Sequence, residues 1–567
     1  MKRQLRCFGL LLCGLVLVAN GCRRGPKPLA IRAAAAARPS ALGSVVIANL
    51  DRTFDRAEAI AKNLSLPFDK TSQKKTLLDA TKVPQALLSA LRTDAPMAAV
   101  AFAPKEKGKD PELAIAIMGK SPESLRAAVA GLGKPIAARQ DAVQFKVGDH
   151  GDHGDHDRWF LPRGGSLVVA TSLETLIGGA ALALELAVAG EDDVTVRLSP
   201  AAIATSQGTD LKSALAALRA TASESLKQAP GQNPILSTIF ESILRSLADR
   251  VAEVEEATLS ARLDATKGAT LRIGATPRKG STLATMVGQT KPFALDGRVV
   301  PSGEVMALMA FSATDLVRRL WIDLRPGVAS DKHGAEAAHH LDTLVDAWTF
   351  GGTGAVSIVD SQVQMAGAYA LKPGSDGKAL LSAIEGLMHG AWYNGLLAAT
   401  DVKTKIRTRR DKEALVVSTS AEPAKGMPAA MSQALKGMGL TAQTYAMVVG
   451  EDTLFYASGK DAAATARALM SASPRKPSGL CARAVGESAE ADALFFMDFA
   501  PLVKMGSAAM GAGASPLFSN MNLPLWLSYR GGQSATLELR VPIELAQGVA
   551  AFAPILMGAV MAGMGQP

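Results

Sequence analysis

The sequence predicts an α+β fold of two related halves, each built from mostly antiparallel hairpin sheets with helices packed on one face. Three observations predict it. Strand-like runs pass through a polar turn into a helix at four places, a hairpin signature occurs twice, and further hairpins follow one another along the chain. Sequential hairpins give antiparallel sheets, and repetition at domain scale points to duplication.

The four strand–helix starts lie at 45–50, 194–198, 305–309 and 493–497. Each is followed by a helix-opening signal: Asp51, Ser199 with Pro200, Ser312, and Asp498 with Pro501. Ser and Asp accept from the unsatisfied N–H groups of a first helical turn, and Pro is tolerated there because it has no N–H to satisfy. The recurring hairpin pairs Leu259-Ser260-Ala261-Arg262 with Ala269-Thr270-Leu271, and later Leu527-Ser528-Tyr529-Arg530 with Ala535-Thr536-Leu537. Gly268 in one turn, and Gly531 with Gly532 in the other, suit a strand reversal. A third echo sets 167–172 beside 454–458, each before an Ala-rich helix.

Other hairpins are expected at 97–102 with 113–118, 142–147 with 158–162, 355–359 with 362–369, and 403–408 with 414–419. Apolar residues every three or four positions predict two amphipathic helices within 210–254, one carrying Leu211, Leu215 and Leu218, the next Leu236, Ile239, Ile243, Leu247 and Val251. Helices are also expected at 313–324 and 334–349. Pro292, Gly297, Pro301 and Gly303 mark a break, giving a first α+β domain at 43–292 and a second at 303–567.

The formal charge is +9 over 567 residues. Residues 1–41 hold Lys2, Arg3, Arg6, Arg23, Arg24, Lys27, Arg32 and Arg38 and no acid, so the remaining body is close to neutral. That balance lacks the broad basic field of a nucleic-acid binder, and no nucleic acid is expected as a partner. At 48% hydrophobic and 20% charged, the chain is not a disordered polyelectrolyte. Aromatic residues are only 5%, so cores must be built from Ala, Val, Leu and Met.

The basic start is followed by an apolar run from Phe8 to Ala19, too short to span ~30 Å of hydrocarbon, and then by Ala19-Asn20-Gly21-Cys22. This segment resembles the lipobox of bacterial lipoprotein precursors, in which a small residue precedes the Cys that becomes the mature N-terminus. The resemblance covers residues 1–22 only. It implies a signal peptide at 1–21, a diacylglyceryl thioether and an N-acyl chain such as palmitate on Cys22, and attachment to a bilayer in the cell envelope. Arg23, in the place where an inner-membrane retention signal has Asp, favours the outer membrane over the inner. Cleavage after Ala19 is the alternative, disfavoured by Leu17 where a small side chain is preferred. Residues 22–42 then form the lipidated Cys and a flexible basic tether. With Cys7 and Cys13 lost and Cys22 acylated, Cys481 is left without a disulfide partner and reads as a buried small hydrophobe.

Three tandem Gly-Asp-His units, at 148–156, offer Asp149, His150, Asp152, His153, Asp155 and His156. Carboxylate and neutral imidazole are ligands for Zn²⁺, Ni²⁺ or Cu²⁺, and Gly lets a loop close around an ion. Glu336, His339 and His340 stand at helical spacing, with His333 one turn earlier. Lys403, Lys405, Arg407 and Arg409 alternate with Thr and Ile, so a strand would carry four cations on one face at ~6.6–6.8 Å intervals, a candidate anion-binding stripe. Edge strands also carry such charges to prevent aggregation. The apolar stretch 545–565 is broken by Gly and Pro and reads as a core helix rather than a membrane span. There is no Gly-x-Ser-x-Gly elbow, no His-Glu-x-x-His and no P-loop.

The expectation is therefore a non-enzymatic, membrane-anchored lipoprotein with a binding or scaffolding role, its partner an envelope protein or an apolar ligand. Alternatives are a periplasmic carrier of an apolar ligand, a metal-binding lipoprotein, and a hydrolase without a recognisable motif.

Overall fold

A computed structural model of the chain describes residues 41–80, 83–104, 110–147, 156–188, 190–228, 234–289, 291–312, 314–359, 362–398, 404–422, 441–509 and 522–549. They form two compact units, each of antiparallel sheet and helix. The first comprises the described residues up to Ala214 together with Glu255–Ile273; the second comprises Leu215–Val254 and the described residues from Gly274 onward.

The first unit's strands are β1 (Ala41–Ile47), β2 (Met97–Phe102), β3 (Glu112–Met118), β4 (Ala137–Arg139), β5 (Ala142–Val147), β6 (His156–Arg163), β7 (Ser166–Ala170), β8 (Val194–Leu198) and, for all but the first residue of one and the last four of the other, β9 (Val254–Asp264) and β10 (Gly268–Pro277). Their spatial order is β4-β5-β6-β7-β3-β2-β1-β8-β9-β10. The second unit's strands are β11 (Val305–Ser312), β12 (Trp348–Val359), β13 (Gln362–Leu371), β14 (Thr404–Asp411), β15 (Ala414–Ala421), β16 (Ala442–Val449), β17 (Thr453–Ser458), β18 (Ala493–Asp498), β19 (Pro524–Arg530) and β20 (Ala535–Pro542). These follow the order β14-β15-β16-β17-β13-β12-β11-β18-β19-β20. Counting strands from the start of each unit, the two orders are the same.

Helices cover both faces of the sheets, not one face as the sequence suggested. Successive buried residues of β3 serve opposite cores: Ile115 and Ile117 pack with Leu50, Leu87, Leu125 and Val129 on one side, while Ala114 and Ala116 pack with Leu176, Ala180 and Ala183 on the other. Strand β15 does the same, with Leu415 and Val417 under Leu381 and Ala414 and Val416 under Ala462 and Ala466. A strand buried on both faces must be apolar at consecutive positions, so it loses the period-two signal of a one-sided sheet. Burying one Leu of this kind contributes ~1.5–3 kcal/mol, so the second helical layer is a large part of the stability.

The abundance of Ala and Gly has a packing reason. Helix Leu173–Leu186 lies so near β2 that a Cβ added at Gly179 would fall 2.7 Å from the Phe102 ring. Ser172 caps that helix by accepting from the Thr175 N–H, and its hydroxyl donates to Glu112 at 2.6 Å. The helix after β1 is capped by Asn49, which accepts from Arg52 N–H at 2.7 Å, two residues before the expected Asp51.

The expected pair of helices within 210–254 forms as Leu211–Gln228 and Pro234–Ala252. The expected helices near 313–324 and 334–349 are Thr314–Ser330, which runs through Pro326, and Gly334–Ala347. The two units are interleaved rather than consecutive, because helix Pro234–Ala252 belongs with the second. Its Ser246 hydroxyl and Arg250 guanidinium donate to the Asp323 carboxylate at 3.0 and 2.8 Å.

Candidate functional site

Among the described residues β14 pairs with β15 alone, running from Thr404 opposite Ala421 to Asp411 opposite Ala414. It is thus an edge of the second unit's sheet. Alternation along the strand divides its side chains into two sets with different surroundings.

One set is Lys405, Arg407 and Arg409, all exposed, opposite Ser420, Ser418 and Val416 of β15. No carboxylate among the described residues forms an ion pair with these three, although neighbouring Arg410 and Arg467 both have one. The row continues laterally in hydroxyls, with Ser418 opposite Thr444 of β16 and their oxygens 3.4 Å apart. The result is a row of three cations at ~6.6–6.8 Å spacing without carboxylate partners among the described residues, Lys405 and Arg407 beside hydroxyls and Arg409 beside the buried Val416.

The other set fastens the strand to helix Gly377–His389. Ile406 joins the cluster of Leu381, Ile384, Met388, Leu415 and Val417. The Thr408 hydroxyl donates to Glu385 Oε1 at 2.8 Å, and Arg410 donates to Glu385 Oε2 through Nε at 3.1 Å and Nη2 at 2.9 Å. The Thr408 hydrogen bond and the Arg410 charge hold the Glu385 carboxyl below its usual range, outweighing its partial burial. His389 Nε2 stands 2.7 Å from Thr408 Oγ1. Because the hydroxyl proton is committed to Glu385, the imidazole is the donor in that contact. An arrangement of His, Thr and Glu invites comparison with a nucleophile and its base. Here the carboxylate is a weakened base and the His faces the hydroxyl as donor, so the geometry supports a structural latch.

The remaining sequence-predicted residues fall as follows. Cys22, Lys403 and residues 149–155, including Asp149, His150, Asp152, His153 and Asp155, lie outside the described residues, as do residues 550–567 of the apolar C-terminal stretch. His156 opens β6, paired with Val147 of β5. Among the described residues, no group of three His, Cys, Asp or Glu side chains gathers at metal-binding distance. His340 Nε2 lies 3.8 Å from Glu336 Oε1 and packs where a Cβ on Gly386 would stand, so it serves helix–helix packing. Cys481 is 3% exposed, and burial pushes its thiol up to about 12. No helix among the described residues is long and apolar enough to cross a membrane.

Glu385, His389, Thr408 and Arg410 were not anticipated as a group. The signal was present in β14, where Arg410 follows Arg409 and breaks the alternation of cations, while Thr408 sits on the face turned from them.

No protein family and no curated protein matches the chain. A solved structure titled "Structure of crystal form III of TP0453" aligns at 8% identity with a TM-score of 0.21, over 46% of this chain and 99% of that chain. A likeness at that level does not establish a shared fold.

Proposed function

We propose that this chain is a non-enzymatic, membrane-anchored envelope lipoprotein, held by an acylated Cys22 and acting through its body as a binding or scaffolding module. The address rests on the lipobox-like Gly21-Cys22 after a basic and then apolar leader, and Arg23 favours the outer membrane. The observation that carries the binding role is the row of Lys405, Arg407 and Arg409, exposed and without carboxylate partners among the described residues, on an edge strand whose other face is fixed. The body is read as one α+β domain duplicated. In support, both units share one strand order, and the Leu-Ser-x-Arg echoes fall on the ninth strand of each, β9 and β19.

The anchor is tested by labelling cells with a palmitate analogue and mapping the mature N-terminus by mass spectrometry. Labelling of wild type, its loss in Cys22→Ala, and a mature chain starting at Cys22 are expected. An unlabelled chain starting at Asn20 would overturn the anchor.

A second reading, carriage of an apolar ligand, is favoured by one observation. Met309 and Phe495 are directly paired across β11 and β18 yet remain 39% and 38% exposed. Large side chains in register and open to solvent form the beginning of an apolar surface. Lipid retained through gentle extraction in native mass spectrometry supports this reading, and its loss in Met309→Ser with Phe495→Ser assigns it to that face.

A further inference from the structure

We propose that the outer edge of β14, which pairs with β15 alone among the described residues, receives an acidic, extended segment of a partner protein, which adds to the second unit's sheet as a further strand. The inference rests on reading the body as a binding module and is independent of the lipid anchor.

Three features of β14 lead to this occupant. An edge strand presents main-chain N–H and C=O groups that an extended segment can pair with, and such pairing is insensitive to sequence. The side chains then decide which segment is accepted. Lys405, Arg407 and Arg409 recur every second residue on one face, the same period at which an added strand presents its own side chains to that face. Opposite charges across neighbouring strands attract and like charges repel, so Asp or Glu at alternate positions fits this row, while a second copy of β14 is rejected.

The third feature is rigidity. Ile406, Thr408 and Arg410 are held by the Leu381 cluster and by Glu385, so the strand is fixed before a partner arrives and little ordering cost falls on it. Arg410, already compensated by Glu385, does not compete for the incoming acid. The exposed Ser420, opposite Lys405, leaves that end of the row open on its inner side, while Arg409 stands opposite Val416, buried under Ala462 and Ala466.

The test uses the full mature protein in detergent micelles and a short synthetic peptide alternating Glu with Thr and Val, its ends blocked. The comparator has the same composition with its Glu residues contiguous. Binding is followed by titration calorimetry, and backbone pairing by amide hydrogen exchange across 404–411. The alternating peptide is expected to bind more tightly than the contiguous one and to slow exchange at alternate amides of β14. The triple variant Lys405→Glu, Arg407→Glu, Arg409→Glu is expected to weaken binding at least about tenfold, because three attractive cross-strand pairs become repulsive. Equal binding of the two peptides, or binding without slowed exchange, would make the row a general polyanion surface and overturn strand addition. Absence of binding by either peptide would make it an aggregation guard only. Flotation with phosphatidylglycerol vesicles that needs the three cations, with the peptides inert, would assign the row to a membrane surface and equally overturn the proposal. Since the exchange footprint is read on wild type, a triple variant that fails to fold leaves the test intact. A Cys22→Ala protein is expected to bind the peptide as wild type does, so loss of the anchor and loss of this site are separable.

Discussion

Asp193 and Asp492 make the same contacts, each within its own unit. The Asp193 N–H donates to the Ala261 carbonyl at 2.9 Å and the Asp492 N–H to that of Tyr529 at 2.7 Å. Their own carbonyls accept from Ala48 and Ser312, and their carboxylates accept from the N–H groups of Leu263 and Gly531, two residues beyond Ala261 and Tyr529. Both side chains are buried, so each replaces water with a fixed main-chain donor where β8 or β18 begins.

The two differ in charge balance, and that difference yields a prediction. Arg56 donates to both oxygens of Asp193 at 2.9 and 3.1 Å, whereas no cation among the described residues pairs with Asp492. Asp193→Ala strands Arg56, and with it Arg52, whose Nε pairs with the same carboxylate at 3.3 Å, and is expected to cost about 3 kcal/mol, the lower end for breaking a buried pair, since both guanidinium groups keep some access to water. Asp492→Ala keeps its main-chain bonds, loses only the carboxylate that accepts from the Gly531 N–H, and is expected to cost about 1–2 kcal/mol. Hydrogen exchange under increasing urea, read on peptides from β8 and β18, measures each locally. Equal costs would count against the pairing argument.

How much of this was legible in the sequence depends on where the physics is local. The hairpin of β12 with β13 was readable because only two residues separate its strands in sequence, and that of β2 with β3 because both are short apolar runs near one another in the chain. The cation row of β14 was readable because alternation alone defines it. Helices on both sheet faces were hidden because 113–118 is apolar at every position, and the pattern cannot say how many faces are covered. The assignment of helix Pro234–Ala252 to the second unit turns on Arg250 and Ser246 meeting Asp323, more than seventy residues away in sequence. The Glu385–Thr408–His389 latch was likewise invisible, since helix and strand must first be brought together.

Gly334 is expected to tolerate no side chain. It opens helix Gly334–Ala347, and a Cβ there would lie 1.7 Å from the Val328 carbonyl oxygen, a main-chain atom fixed by the preceding turn. Gly334→Ala should therefore destabilise the second unit by about 2–4 kcal/mol. Gly288→Ala, where a Cβ meets nothing within 4 Å, is the matched control, expected within about 0.5 kcal/mol of wild type. Thermal unfolding of the two variants side by side checks the contrast.

Cys481 should be chemically silent in the native protein. Its thiol is buried with Ala484, Leu494, Phe496 and Trp526, and burial pushes it up to about 12. Because the thiolate is the reactive species, a thiol reagent at pH 8 should modify it only after unfolding. Replacing it with Ser is expected to cost about 1–3 kcal/mol, through an unpaired hydroxyl in an apolar site. Prompt native-state reaction with a coloured disulfide reagent would show that this core opens.

The latch predicts an acid-sensitive contact between β14 and helix Gly377–His389. Glu385 has a folded pKa below its ordinary value of 4.5, set by the Thr408 hydrogen bond and the Arg410 charge. A depressed carboxylate contributes stability that is fully present above the ordinary value and is lost as pH falls through the folded value. Wild type and Glu385→Gln should therefore differ at pH 7 and converge as pH falls from 4.5 through the lower folded value of Glu385. Both partners are partly open to solvent, so the charge contribution at pH 7 is modest, ~0.5–1 kcal/mol. Amide exchange of 404–411 in the two proteins across that range reads the difference. A gap that stays constant with pH would mean that Glu385 contributes by packing alone. A gap that closes on acidification would show that its charge holds β14 in place.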